Sequence, residues 1–292
     1  MRFYNQQHKY FCGIDLHARK MYVCIINQNG KTKVHQNIKT DPQLFFELVF
    51  PYIEDIVVGV ECVFCWYWIA DFCNEHKIPF VLGHALYMKA IHGGKTKNDK
   101  IDSYKIAALL KGGNFPIAYP YPAQWRATRD LLRRRMYISR RCSELVAHIQ
   151  NTNTQYNLPA FSKKLSRKYN HDGVADRFED PAVRNSVEVD LAMIESLNQI
   201  LKKLEWQIEK TARQHDYHTL YLLRSIPGVG PILALVILYE IHNVSRFPRV
   251  QDFFSYSRLV RPAKESDGKW GRLLQKKSAT IISNGPSKRL QS

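Results

Sequence analysis

The 292-residue sequence lacks any run of about 18 apolar residues, so we expect no transmembrane helix and no membrane partner. Its first segment, Met1–Tyr10, is polar and lacks the apolar centre of a signal peptide. These two absences predict a cytoplasmic protein. Disulfides are not expected either, because the six cysteines lie mostly in apolar stretches, as small buried side chains of a reducing compartment do.

One group of cysteines has the residue types of a zinc site. Cys62 and Cys65 are followed by Cys73 and His76. The stretch between the two pairs is short, however, and Phe64–His76 has the apolar pattern of an amphipathic helix. We therefore favour a helix over a structural zinc site here.

Acidic residues are in short supply. The chain has 43 Lys and Arg against 26 Asp and Glu, a net charge of +17 and a pI near 9.6. An excess of this size predicts nucleic acid as the first partner to consider, with a membrane surface second. The length suffices for two domains, and an apolar content of 45% suffices for a core.

The first part of the chain has the element order of an α/β protein. Asn29-Gly30 is typical of a β-hairpin, and Asp41-Pro42 is typical of a helix start. The predicted strands are Tyr10–Leu16, Met21–Asn27, Lys33–Ile38, Ile56–Val60 and Pro79–Leu82. Three antiparallel strands followed by alternating helices and strands is the order of the ribonuclease H-like fold.

Four acids fall where such a fold would bring them together. Asp15 and Glu61 end predicted strands, while Asp99 and Asp102 share one face at the start of a predicted helix. Oxygen ligands alone suit Mg²⁺ or Mn²⁺, and without a metal the acids would raise one another's pKa. The plainer alternative is a helical first turn capped by Asn98, with the nearby Lys95, Lys97, Lys100 and Lys105 solvated.

After the proline-rich linker Pro116–Pro122, the segment Trp125–Gln150 is predicted to be a long helix. Its polar positions carry seven arginines with few acids nearby, which favours phosphate contact over an ordinary solvated face. The predicted DNA-binding arginines are Arg133, Arg134, Arg135, Arg140 and Arg141. A second helix, Val187–Glu209, completes either an antiparallel arm or a dimerising coiled coil.

The segment Pro227-Gly228-Val229-Gly230 lies between two predicted helices and looks like a helix-hairpin-helix turn. Gly228 and Gly230 would let the backbone approach a phosphate, although the same glycines also suit a plain tight turn. We therefore expect three parts: residues 1–122, which end with the proline-rich linker, a helical arm at 123–215 and an all-α domain at 216–292.

At this point the sequence resembles the DEDD transposases of bacterial insertion sequences, the insertion sequence 110 family, up to about Lys269. The first three of the segments that carry the resemblance are specific when taken together; the fourth is common in DNA-binding proteins, and the fifth is specific mainly through its position. The segments are Gly13-Ile14-Asp15-Leu16-His17, Val60-Glu61, Lys97-Asn98-Asp99-Lys100-Ile101-Asp102, Ile226-Pro227-Gly228-Val229-Gly230 and Leu259 to Gly268.

The resemblance implies a RuvC-like N-terminal domain, like that of a Holliday-junction resolvase, with Mg²⁺ (or Mn²⁺) on Asp15, Glu61, Asp99 and Asp102. It implies that Ser266 attacks DNA and forms a covalent link. Lys264 and Lys269 flank Ser266 in the sequence, and their charges suit stabilisation of the negative charge on phosphorus. The resemblance also implies a structured guide RNA and a helical arm that supports assembly into a homo-oligomer, a dimer or tetramer.

The sequence departs from the family after Gly271. Leu273–Ser292 is polar, where a member would continue with an Ile-Gly-Asn element and a long apolar helix. A single-base frameshift near Lys276-Lys277 would account for the change. We therefore expect a truncated copy with exposed apolar surfaces at Leu233–Tyr239 and Phe253–Tyr256, weak or no recombination activity, and an N-terminal domain that still folds.

Two alternatives stay open from the sequence. The chain could be a metal-dependent junction nuclease that uses the four acids without the serine, or a nucleic-acid-binding protein whose acids are structural.

Overall fold

A computed structural model describes residues 2–91 and 98–257, with the backbone alone for 89–91, 264–266 and 269–271. The chain divides after Ala123 into two compact units. We call Met1–Ala123 unit 1 and Gln124–Ser283 unit 2. No helix in the described ranges is both long enough and apolar enough to cross a membrane.

Unit 1 is a mixed α/β unit. Its strands are β1 (Phe3–Tyr4), β2 (Tyr10–Leu16), β3 (Lys20–Asn27), β4 (Thr32–Lys39), β5 (Ile56–Glu61), β6 (Phe80–Gly83) and β7 (Phe115–Pro116). Its helices are α1 (Pro42–Val49), α2 (Tyr67–Glu75), α3 (Ala85–Ile91) and α4 (Asp99–Lys111), with a 3₁₀ turn at Phe50–Asp55.

Five strands form one sheet in the order β4-β3-β2-β5-β6. Strand β3 runs antiparallel to β2 and β4, whereas β5 runs parallel to both β2 and β6. The β3–β4 hairpin closes through Gly30, whose φ of +78° favours glycine, as Asn29-Gly30 predicted. This mixed sheet is compatible with the predicted ribonuclease H-like fold.

The two faces of the sheet are covered differently. One face packs Val58 and its neighbours against Phe45 of α1 and Ile69 of α2. The other packs Phe11 and Val57 against α4 and Phe115. Because β5 has buried residues on both faces, it reads in sequence as the continuous apolar run Ile56–Val60.

Unit 2 is mainly helical. Its helices are α5 (Ala123–Gln155), α6 (Pro181–Ser225), α7 (Pro231–Ile241) and α8 (Val250–Tyr256). Short 3₁₀ turns lie at Lys168–Asn170, Ala175–Arg177 and Val244–Arg246. Helices α5 and α6 pack through Ile149, Val187 and Ile194, which are fully buried. Helix α6 is interrupted at Asp216, where φ is −158° and ψ is 82°.

Two expectations for the C-terminal part are wrong. It is not all-α, because β8 (Lys264–Ser266) and β9 (Lys269–Gly271) pair antiparallel. The segment Leu233–Tyr239 is not an exposed apolar surface either. Leu235 and Tyr239 of α7 are buried in an apolar cluster that includes Ile208 and Leu220 of α6. This cluster covers most of α7. Leu233 and Phe254 do remain exposed.

Candidate metal centre

The site is set by an unusually close contact between β2 and α4. A Cβ added to Gly13 would lie 2.3 Å from both the backbone oxygen of Ser103 and the backbone nitrogen of Ala107. Only glycine permits this approach, since real Cβ atoms do not come so near to backbone atoms. The start of α4 is therefore held against the carboxyl end of β2.

Strand alternation gives Asp15 and Glu61 the same face of the sheet. Side chains two residues apart on a strand point to the same side of the sheet. Asp15 therefore lies on the same side as Gly13, and Glu61 on the same side as Gly59, which is the side covered by α4. The parallel register pairs Ile14 with Val60, which makes Asp15 and Glu61 the next positions on adjacent strands. Both acids thus lie at the carboxyl edge of the sheet, where the sequence predicted them.

Helix α4 contributes the other two acids from its first turn. The Asn98 side chain accepts a hydrogen bond from the Lys100 N–H at 2.9 Å and caps the helix as predicted. Asp99 and Asp102 follow with i, i+3 spacing. Lys95 and Lys97, predicted to surround them, lie outside the described residues.

The structure adds a residue that sequence reasoning did not single out. Nε2 of His17 lies 3.4 Å from an Asp15 carboxylate oxygen and 3.8 Å from an Asp99 carboxylate oxygen. One ligand atom from each of these three residues falls within 4.8 Å of the others. The signal was present in the sequence, since His17 follows Asp15 by two positions in the same short motif.

The neighbouring charges shift the pKa of Asp15 in the direction expected for clustered carboxylates. Burial raises the pKa of Asp15, and the nearby carboxylates of Asp99 and Asp102 raise it further, while His17 opposes them. The side chain of Asp15 is only 19% exposed. A bound cation would remove the free-energy cost of ionising Asp15 in this environment, because a positive charge favours the charged carboxylate. The donor set of two carboxylates and one imidazole therefore fits a divalent ion.

The four predicted acids are not equally placed. Asp15 and Asp99 converge with His17, whereas Asp102 is 3.5 Å from the ammonium nitrogen of Lys105. Among the described residues, Glu61 does not belong to the three-residue group. Its position at the end of β5 keeps it on the same edge and face of the sheet.

The premise for the arginine prediction is wrong for several positions, because acids do lie nearby. Arg129 and Arg133 both bind the buried carboxylate of Glu240, with shortest distances of 2.7 and 2.8 Å. Burial raises the pKa of Glu240, but the two guanidiniums outweigh it and hold this pKa below its usual range. Arg135 binds Glu205 of α6 at 2.5 Å.

The remaining predicted arginines are exposed. Arg141 pairs with Glu144 at 2.5 Å, and its guanidinium lies 5.0 Å from the Tyr137 ring centroid. Arg134 lies over the same ring at 5.4 Å. Neither Arg134 nor Arg140 forms an ion pair with a carboxylate of the described part of the chain.

The predicted glycine turn lies between α6 and α7. Gly228 has φ of +86°, and Gly230 immediately precedes α7. A Cβ at either glycine would meet nothing within 4 Å, so the backbone is open on that side. Ser266 ends β8 and pairs in register with Lys269; the side chains of Lys264, Ser266 and Lys269 lie outside the described residues.

In the described part of the chain, the side chains of Cys62, Cys65, Cys73 and His76 do not have the arrangement of a zinc site. Helix α2 spans Tyr67–Glu75, Cys73 is buried in the apolar core, and the Nδ1 of His76 lies 2.9 Å from the Phe72 carbonyl oxygen. Within the described residues, these side chains form no group of metal ligands. The helix that the sequence favoured is confirmed.

The five-stranded mixed sheet, its helices and the acidic edge define a mixed α/β protein whose sheet is compatible with a ribonuclease H-like fold. Comparison with protein families gives a more specific result. A DEDD-type transposase family model matches residues 12–158, half of the chain, and a model for transposases of the IS116/IS110/IS902 family matches residues 220–280. A search of curated proteins finds no match. The chain belongs to the IS110 family of DEDD transposases.

Proposed function

We propose that this transposase cuts and rejoins DNA with Mg²⁺ or Mn²⁺ held by Asp15, Asp99, Asp102 and Glu61 in a RuvC-like domain. The observation that carries the proposal is the convergence of Asp15 and Asp99 with His17 where β2 meets α4. A divalent ion there would supply positive charge for a phosphodiester that bears negative charge in the transition state.

The chain's own residues have separate tasks at this site. Gly13 fixes the distance between β2 and α4, and Asn98 fixes the first turn of α4. Asp15 is mostly buried and therefore well positioned, whereas Asp99 is exposed and open to substrate. Lys105 neutralises Asp102 and must move away, or share the carboxylate, when an ion binds.

Ser266 is proposed as the nucleophile for rejoining. Attack of its hydroxyl oxygen on phosphorus forms a phosphoserine ester, breaks one P–O bond of the DNA, and gives the departing strand oxygen a proton. Attack by a strand hydroxyl then reverses the exchange and restores a phosphodiester with no external energy source. Lys264 and Lys269 flank the serine in sequence and suit the charge on phosphorus.

The DNA-binding proposal now rests on fewer arginines. Arg134 and Arg140 are exposed on α5 and available to phosphate, and Arg141 is exposed but shares its charge with Glu144. Arg133 and Arg135 serve mainly to hold α5 to α7 and α6. The open backbone at Gly228 and Gly230 suits close approach of a phosphate, as in a helix-hairpin-helix turn.

A structured guide RNA and self-assembly complete the proposal. The net charge of +17 suits a second polyanion beside the DNA. On α6, the exposed side chains of Val189, Met193 and Ile200 form an apolar stripe that a second copy of the arm would cover. We keep the division at residues 1–122, 123–215 and 216–292. The departure from the family was expected after Gly271, but the family match runs to residue 280, so we propose that the sequence after residue 280 weakens recombination in this copy.

The proposal is tested with DNA carrying the ends of the element and purified protein in Mg²⁺. Wild type is expected to form a covalent protein–DNA adduct that resists detergent, Ser266→Ala to lose it, and Asp99→Asn to lose strand cleavage as well. If Ser266→Ala still cuts DNA while Asp99→Asn does not, the chain acts as a metal-dependent nuclease. If neither variant differs from a wild type that binds DNA without cutting it, this copy is a nucleic-acid-binding protein without cleavage activity, and comparing Mn²⁺ binding by wild type and Asp99→Asn decides whether its acids are structural.

A further inference from the structure

Helix α6 turns back on itself at Asp216. Nη1 of Arg224 lies 2.8 Å from Oε1 of Glu209, although the two residues are 15 positions apart. In a straight helix that separation would be about 22 Å, beyond the reach of both side chains. Asp216 leaves the helical conformation, and its carboxylate accepts a hydrogen bond from the Thr219 N–H, which caps the second segment.

The inside of this corner is a cavity of about 400 Å³. Tyr217 and Tyr221 line this cavity and are 61% and 62% exposed. Their rings are nearly parallel, with an angle of 24° between the planes and centroids 6.4 Å apart. The cavity is lined by Arg213, Tyr217, Leu220, Tyr221, Arg224 and Ser225. Two large aromatic faces are thus left to solvent beside two arginines.

The arginines are held in place and carry unbalanced charge. Arg213 and Arg224 both bind one carboxylate oxygen of Glu209, at 2.7 and 2.8 Å. The hydrogen bonds from Arg213 and then Arg224 hold the pKa of Glu209 below its usual range. Two guanidiniums share one carboxylate, so the group keeps a net charge of +1 and has donors left for an anion.

We propose that this corner binds a nucleotide of single-stranded nucleic acid, with its base stacked on Tyr217 or Tyr221 and its phosphate on Arg213 or Arg224. Aromatic side chains beside a cationic group are the usual platform for unpaired bases, whereas paired bases in a duplex hide their faces. The charge favours a polyanion over an apolar peptide. This inference deepens the proposed function and rests on it only in taking nucleic acid as the partner.

The test is fluorescence anisotropy in EDTA, with labelled oligothymidylate, labelled oligouridylate and a labelled DNA duplex. The main variant is Tyr217→Ala/Tyr221→Ala, which changes exposed side chains. The matched control is Trp206→Ala on the same helix, where the indole is 63% exposed and lies beside Lys210. Tyr217→Phe/Tyr221→Phe keeps the stacking faces and removes only the hydroxyls.

The double alanine variant is expected to raise the Kd for single strands roughly tenfold or more, while duplex binding changes less than about twofold. The phenylalanine variant and Trp206→Ala should bind like wild type. A loss of affinity for oligothymidylate alone identifies DNA as the ligand, and a loss of affinity for oligouridylate alone identifies RNA. Equal losses for duplex and single strands, equal losses in Trp206→Ala, or no loss would each overturn the proposal. Because EDTA removes divalent ions, the result is independent of whether the metal centre cleaves DNA.

Discussion

Gly13 of β2 and Ser103 of α4 meet backbone to backbone, so that a methyl group on Gly13 would sit 2.3 Å from the Ser103 carbonyl oxygen. This contact determines how near the first turn of α4 comes to the end of β2. The positions of Asp15 and Asp99 relative to each other therefore depend on a residue that has no side chain.

Gly13→Ala is expected to destabilise unit 1 by about 3 kcal/mol, because the obstructing atoms belong to backbone that cannot rotate away. Gly59→Ala is the matched control, since its new methyl group would meet the end of the flexible Leu110 side chain. Its cost should be smaller, about 1 kcal/mol, because the buried Leu110 side chain can shift more readily than backbone. Hydrogen exchange of the β2 and α4 amides measures the loss of stability in each variant. Equal losses in Gly13→Ala and Gly59→Ala would contradict the claim that only Gly13 is restricted by backbone.

As the pH changes, Asp15 and Asp55 are expected to change the free energy of unfolding in opposite directions. Burial and neighbouring acids raise the pKa of Asp15, so its contribution to stability is fullest at low pH and is lost as pH rises through that pKa. The Lys9 backbone N–H and His8 lower the pKa of Asp55, so its contribution is present at neutral pH and is lost as pH falls.

In metal-free protein at neutral pH, Asp15→Asn should therefore raise the free energy of unfolding, and Asp55→Asn should lower it. Urea denaturation in EDTA measures both, with β2 amide exchange reporting on unit 1 alone. Toward pH 4 both differences should shrink. Two variants that shift stability in the same direction at neutral pH would show that the surroundings of Asp15 are misjudged.

Several features of the fold follow from local sequence. The Asn29-Gly30 hairpin, the Asp41 cap and the continuous strand Ile56–Val60 each depend on residues within a few positions. Local chemistry is enough in these cases because the turn, the cap and the two-sided burial each have their own residue pattern. The acidic edge followed from the same strand and helix ends.

Other features depend on contacts between distant residues, and sequence did not reveal them. Arg133 was expected to face phosphate, but its partner Glu240 is 107 positions away. The turn at Asp216 is stabilised by Glu209 and Arg224, which meet only because the helix is broken. The closeness of His17 to Asp99 depends on the Gly13 contact, since 82 positions separate the two residues.

Glu240→Ala is expected to destabilise unit 2 by about 3 kcal/mol or more, because it leaves Arg129 and Arg133 without their shared buried carboxylate. Glu144→Ala, which breaks the pair with Arg141, should cost far less, because both side chains are exposed to solvent. Urea denaturation followed by circular dichroism separates the two. Similar costs would mean that Glu240 does not hold α7 to α5.

Lys105→Gln is expected to strengthen divalent-ion binding roughly threefold to tenfold, since it removes a positive charge 3.5 Å from the Asp102 carboxylate. Lys111→Gln, at the other end of α4, is the control, because screening makes its charge ineffective over that distance. Calorimetric titration with Mn²⁺ gives both affinities. Weaker binding in Lys105→Gln would place the ion away from Asp102.

The central claim is that Asp15 and Asp99 hold a divalent metal ion, and electron paramagnetic resonance of free Mn²⁺ in a titration tests it most directly. Wild type should bind Mn²⁺, Asp15→Asn and Asp99→Asn should each weaken binding roughly tenfold or more, and Glu47→Gln on the exposed face of α1 should not. Unchanged Mn²⁺ affinity in both aspartate variants would contradict the claim.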